Sequence, residues 1–156
     1  MIIDELHAFA LLIAANAMPV VVGKLARDRG AVPLDFGRVM PDGERLFGSH
    51  KTWRGLVSGI AACVLLALYL GLPAWLGAGF GALSLLADAA SSAAKRRMRL
   101  KPGSEVLGLD QLAEALLPLL VFAEPLRLQL GEIALVTAGF VVLDTATAGL
   151  RHRSWL

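Results

Sequence analysis

GLVSGIAACVLLALYLGLPAWLGAGFGALSLLADAASSAAKRR, residues 55–97, carries no charge before Asp88 and closes on Lys95, Arg96 and Arg97. The run is too long for one helix buried in a soluble domain, and Pro73 divides it into two lengths, 55–72 and 74–94, each of the order of the ~20 residues that cross a hydrocarbon core. A very short turn at the proline makes the two an antiparallel hairpin in a bilayer. Working outward, three further segments of similar character lie at 5–24, 108–124 and 130–150. The whole chain agrees: 56% of its 156 residues are hydrophobic and 18% charged, and its mean hydropathy is +0.65, well beyond soluble domains. The expected fold class is an all-α integral membrane protein, a bundle of about five transmembrane helices, and with no linker or repeat the chain 1–156 reads as a single domain.

The first segment begins MIIDELHAF, without the basic start of a secretory signal, and reads as a retained helix. Asn16 and Pro19 lie at its midspan. In lipid alone the amide and the carbonyl freed by proline would be unsatisfied, so other helices must pack on that face. Cys63, the one cysteine, falls within a span and reads as a small buried apolar residue. GAGFGA, residues 77–82, permits close helix contact within a monomer or across a homodimer, which leaves oligomeric state open.

All Lys and Arg except Arg127 fall in three places: residues 24–54, residues 95–101 and the tail at Arg151 and Arg153. Five spans put these on one side, which the positive-inside rule makes the cytoplasm, with the N-terminus out and the C-terminus in. The expected location is the cell membrane, with the functional face toward the cytoplasm. Intramembrane acids converge on that same side. Asp88 lies seven residues before Lys95 and Asp144 seven before Arg151, about 10 Å of helix inside the boundary. Asp110 and Glu114 open the fourth span at the same depth. Such acids are costly in lipid and mark cavities, ion pairs or metal sites. For Asp144, without a motif around it, plain neutralisation by a neighbouring cation is the simpler reading.

On a helix of 100° per residue, Asp88, Ser92, Lys95 and Arg99 fall on one stripe. Carboxylate, hydroxyl and cations in that order suit a metal-bound polyphosphate, and Asp110 and Glu114, four residues apart, supply opposing ligands. The loop FGRVMPDGERLFGSHKTWRGL has two readings. One is a solvated linker with a turn at Pro41–Gly43 and an interfacial Trp53; the other has Lys51, Thr52 and Arg54 holding phosphates over the acids, with His50 nearby. His7, His50 and His152 show no ligand spacing, and no Ser-His-Asp or Cys-His arrangement is present.

Asp88-x-x-x-Ser92-x-x-Lys95-Arg96, Lys101-Pro102-Gly103 and Leu109-Asp110-Gln111 together resemble the CDP-archaeol synthase family, within the CDP-diacylglycerol synthase superfamily. Ala15-Asn16-x-x-Pro19 and Gly48-x-His50-Lys51-Thr52-Trp53-Arg54-Gly55 are similar to two further motifs, in the same order, and the likeness covers about residues 11–123. The resemblance implies a membrane cytidylyltransferase that condenses CTP with a lipid phosphate of the archaetidic or phosphatidic acid type, giving CDP-lipid and pyrophosphate with Mg²⁺ as cofactor. It implies Asp88, Ser92, Lys95, Arg96 and Asp110 as catalytic, Asn16, His50, Lys51, Thr52, Arg54 and Gln111 as substrate-binding, and Asp88, Asp110 and Glu114 as metal ligands. CTP, the lipid phosphate and the membrane are then the partners, and nucleic acid is not. Ala87 stands where the family often has glycine. Ala113 stands where it often has a second acid, so either Glu114 takes that place or the metal site is weaker. The rival from another class is a non-catalytic lipid-phosphate binder or small transporter with the same polar cavity.

Overall fold

A computed structural model describes residues 2–27, 29–48, 50–99 and 109–153, with side chains for all of these except 109, 110 and 148–153. It is a bundle of five helices: α1 Ile2–Ala26, α2 Trp53–Tyr69, α3 Ala74–Arg97, α4 Leu109–Val121 and α5 Leu130–Arg153. Helix α2 packs between α1 and α3, α4 lies on α3, and α5 closes against α4 and α1. Among the described residues, three helices are long and apolar enough to cross a membrane: α1, α3 and the Leu130–Thr147 part of α5. Over the described residues α2 has 17 residues and α4 has 13, and the five helices follow the order the sequence predicts.

Successive helices run antiparallel. Gly59 of α2 sits against Ala15 of α1 and Leu85 of α3, while Gly77 and Gly81 of α3 sit against Cys63. These glycines allow backbones to touch: a methyl group at Gly77 would lie 2.4 Å from the Cys63 carbonyl oxygen. Membrane helices gain attraction chiefly through such close packing, since lipid tails are as apolar as leucine. Pro19 has no N–H to offer the Ala15 carbonyl one turn back. That freed carbonyl faces Gly59, where a methyl group would come within 2.8 Å of it, so the expected packing on this face is present. Asn16 donates to Leu12 O at 3.0 Å and to Ser84 Oγ of α3 at 3.3 Å, which satisfies its amide inside the bundle.

Leu11, Leu12, Cys63, Leu76, Phe80 and Leu119 form the centre of the core. Leu65, Leu68, Leu86, Leu120, Leu135 and Val142 face outward and exposed, the apolar perimeter a bilayer would cover. The hairpin turn between α2 and α3 uses Gly71 at φ +74°, with Leu72 N–H returning to Ala67 O at 2.8 Å. Helix α3 continues to Arg97, and Arg99 beyond it is left-handed at φ +56°. Arg99 is therefore off the helical stripe expected to hold it beside Lys95.

Between α1 and α2 the chain folds back rather than hanging as a linker. Pro33 pairs with Thr52 and Val39 with Arg45 as isolated antiparallel bridges. Leu34 N–H donates to Lys51 O at 2.8 Å and Trp53 N–H to Val32 O at 2.9 Å. The returning strand is thereby stitched to the residues that lead into α2.

Candidate active site

The acids of three helices meet where this loop returns. Asp88, half-buried on α3, pairs with Lys51 Nζ from the loop. Glu114, buried on α4, is in hydrogen-bonding contact with the Asp88 carboxyl, and Lys51 and Asp144 lie near enough to act on its charge. Gln111, one turn before Glu114 and also buried, donates Nε2–H to Asp144 Oδ2 of α5 at 3.2 Å. Two carboxylates in contact repel unless a cation or proton lies between them. Lys51 supplies an ammonium group beside them.

Ser92, Lys95 and Arg96 are buried along the α3 stripe toward its C-terminal end, and Gly48 of the loop passes over Arg96. Asp110 stands in the first turn of α4, four residues before Glu114; its side chain lies outside the described residues, as do Lys101, Pro102 and Gly103. Among the described residues, no group of three acids, histidines or cysteines stands ready as a metal cage; Asp88 and Glu114 form a pair.

Other expected site residues have structural work. The Thr52 hydroxyl accepts the Gly55 N–H at 3.1 Å and caps α2, the usual role of a threonine at that position. Its own O–H is left to point elsewhere. Arg54 is turned from the acids: its Nη1 donates to the Arg27 carbonyl at 2.9 Å and also to that of Arg29, tying the end of α1 to the start of α2. His50 is exposed beside Lys51. Asn16 bonds to Ser84, one turn of α3 inward from Asp88.

Two participants were missed from sequence. Asp144, for which neutralisation by a cation is the simpler sequence reading, is bonded by Gln111, and Glu114 feels its charge; its spacing from Arg151 gave its depth but not these partners. Asp35 was not singled out at all. Its carboxylate is fully buried in the loop and accepts from Arg45 Nη2 at 2.5 Å, Gly37 N–H at 3.0 Å and Phe47 N–H at 3.2 Å. Burial alone would raise its pKa, but the Arg45 hydrogen bond, the two amides and the Arg45 charge outweigh it and hold the carboxyl down at about 2.

A family model described as CarS-like, CDP-archaeol synthase, matches residues 1–149. The CDP-archaeol synthase of Thermococcus onnurineus is 41% identical over 143 residues, 81% of this chain and 79% of that protein. That of Pyrococcus furiosus is 37% identical over 151 residues, 89% and 86% of the two chains. A solved structure, described as an intramembrane enzyme for archaeal membrane lipid biosynthesis, superposes with a TM-score of 0.75 at 34% identity, covering 91% of this chain and 90% of that one.

Proposed function

The chain belongs to the CDP-archaeol synthase family, CTP-dependent nucleotidyltransferases of membrane lipid synthesis, and we propose that it condenses CTP with archaetidic acid at the α3–α4 site, giving CDP-archaeol and pyrophosphate. The observation that carries this reading is the meeting of Lys51, Asp88 and Glu114 from a basic loop and two membrane helices.

A lipid phosphate oxygen attacks the α-phosphorus of CTP, a new P–O bond forms, and the bond to the β-phosphate oxygen breaks as pyrophosphate leaves. The attacking group is already anionic, so the protein need supply no nucleophile. Its task is to hold two anions together against repulsion and to stabilise charge on the transferred group. Lys51, Lys95 and Arg96 are the cations placed for that, with Ser92 as a hydroxyl donor. An ammonium group paired with a carboxylate can trade that partner for a phosphate oxygen.

The donor set fits a hard divalent ion. Two carboxylates from two helices match the one or two that Mg²⁺ commonly takes, the rest of its shell being water and phosphate. Asp88 and Glu114 would hold it, with Asp110 one turn earlier on α4; when bound, it would neutralise phosphate charge and polarise the α-phosphorus. An apolar groove between α4 and α5, lined by Leu112, Leu116, Thr137, Ala138, Val141 and Val142, runs from the level of the Gln111–Asp144 bond and offers a bed for an alkyl chain. The concentration of basic residues around the acids supports a cytoplasmic site.

Purified protein supplied with labelled CTP, Mg²⁺ and archaetidic acid tests the reading, with phosphatidic acid as the ester-linked comparison. Labelled CDP-archaeol and an equal yield of pyrophosphate are expected. Well-folded protein that forms no CDP-lipid from either acceptor would overturn it.

A further inference from the structure

We infer that Asp35, buried in the α1–α2 loop and remote in sequence from every acid of the site, is a positioning residue that holds Lys51 against Asp88 and so sets the affinity for the nucleotide. The inference rests on the reading of Lys51 as a phosphate ligand.

The connection is short and continuous. Asp35 follows Leu34, whose N–H is bonded to the Lys51 carbonyl. The Asp35 carboxylate gathers three donors from both arms of the loop: Gly37 N–H just after it, and Arg45 and Phe47 on the returning arm. The returning arm is in turn fastened to the end of α3. Arg97 Nη2 donates to the Arg45 carbonyl at 3.0 Å, and Arg97 Nη1 pairs with Asp42 at 3.1 Å. Gly48 then crosses Arg96 before the chain reaches Lys51. A buried carboxylate is costly unless its lone pairs are filled. Here they are filled by groups on both arms of the loop, so the charge is satisfied only when the loop is closed on itself, in the shape that Arg97 fastens to α3. The tie therefore selects one loop conformation, and that conformation delivers Lys51 to Asp88.

Asparagine at position 35 keeps the shape, but its amide must turn an N–H₂ toward one of those donors. Asp35→Asn and Arg45→Gln should therefore loosen the same tie from its two ends. Two readouts separate positioning from a merely structural role. The first is the rate at which an amine-reactive reagent modifies Lys51 in the intact protein, followed by mass spectrometry with exposed Lys24 as internal reference. It should rise about fivefold or more in both variants as the ion pair opens more often. The second is the kinetic split: KM for CTP should rise about tenfold, the effect of one lost charge-assisted hydrogen bond, while kcat at saturating CTP stays within about threefold. Glu44→Gln, which removes an exposed carboxylate from the same loop, should leave both at wild-type values. Should Asp35→Asn fail to fold, Arg45→Gln decides. Wild-type Lys51 labelling and wild-type KM in the folded variants would overturn the inference, as would a fall in kcat at unchanged KM. If the wild-type protein makes no CDP-lipid, the functional reading fails, while the labelling comparison still decides whether Asp35 positions Lys51.

Discussion

A membrane helix that carries one acid can be excused by a passing cation, but Asp88, Glu114 and Asp144 come from three helices and still converge. Asp88→Asn keeps size and removes charge, and should cut kcat/KM for CTP by about a hundredfold or more without loss of helix content by circular dichroism. Asp144→Ala leaves Gln111 without its acceptor and should cost about tenfold, the worth of one buried hydrogen bond to a charged group. Lys51→Ala should disable turnover, whereas Arg54→Ala, which frees only the Arg27 and Arg29 carbonyls, should be felt mainly as a loss of about 1 kcal/mol in stability. Measuring KM and melting midpoint on the pair separates them. Spacing alone made Asp88, Ser92, Lys95 and Glu114 readable. The direction of Arg54 was not, because its partners are backbone carbonyls that exist as a pair only once α1 has ended at Ala26. Asp35 also answers to pH. Its folded carboxyl sits at about 2 against an ordinary 3.8, so its contribution is fully present above about pH 4 and fades as pH falls through about 2. Protease nicking within residues 32–47 should stay flat from neutral pH down to about 4 and then rise.

At the scale of helices and loops, the hairpin at Pro73 and the buried face marked by Asn16 and Pro19 were legible, because proline and a polar amide each make a demand that lipid cannot meet. The C-terminal ends of α2 and α4 were less so. Apolar composition runs on through Leu70 to Leu72 and through Phe122 and Ala123, whereas helix ends are set by backbone bonds such as Leu72 N–H to Ala67 O. The α1–α2 loop was legible only as two alternatives. Its bridges join residues that neither period nor propensity links, and the buried ion pair that closes it has partners ten positions apart. Glycines carry the tightest helix contacts, and they differ in a testable way. Gly77→Ala drives a methyl group onto the Cys63 carbonyl and should destabilise the bundle by about 1–3 kcal/mol. Gly131→Ala meets nothing within 4 Å and should leave the thermal midpoint unchanged.

For the molecule as a whole, five helices alternating in direction put the chain ends on opposite faces. Reporter fusions should place the N-terminus outside and the segment after Arg153 in the cytoplasm; both on one side would eliminate the arrangement. The surface of α4 bears on how a two-tailed substrate reaches the acids. Glu114 is buried, while Leu112, Leu117, Leu120 and Val121 of the same helix are exposed. A phosphate offered at the level of Glu114 would leave its chains against that apolar surface, among the neighbouring lipids. Withdrawing a lipid tail into water costs about 0.8 kcal/mol per methylene. A catalyst that meets the phosphate from within the bilayer avoids that extraction, and its substrate arrives by lateral diffusion in the leaflet rather than by desorption.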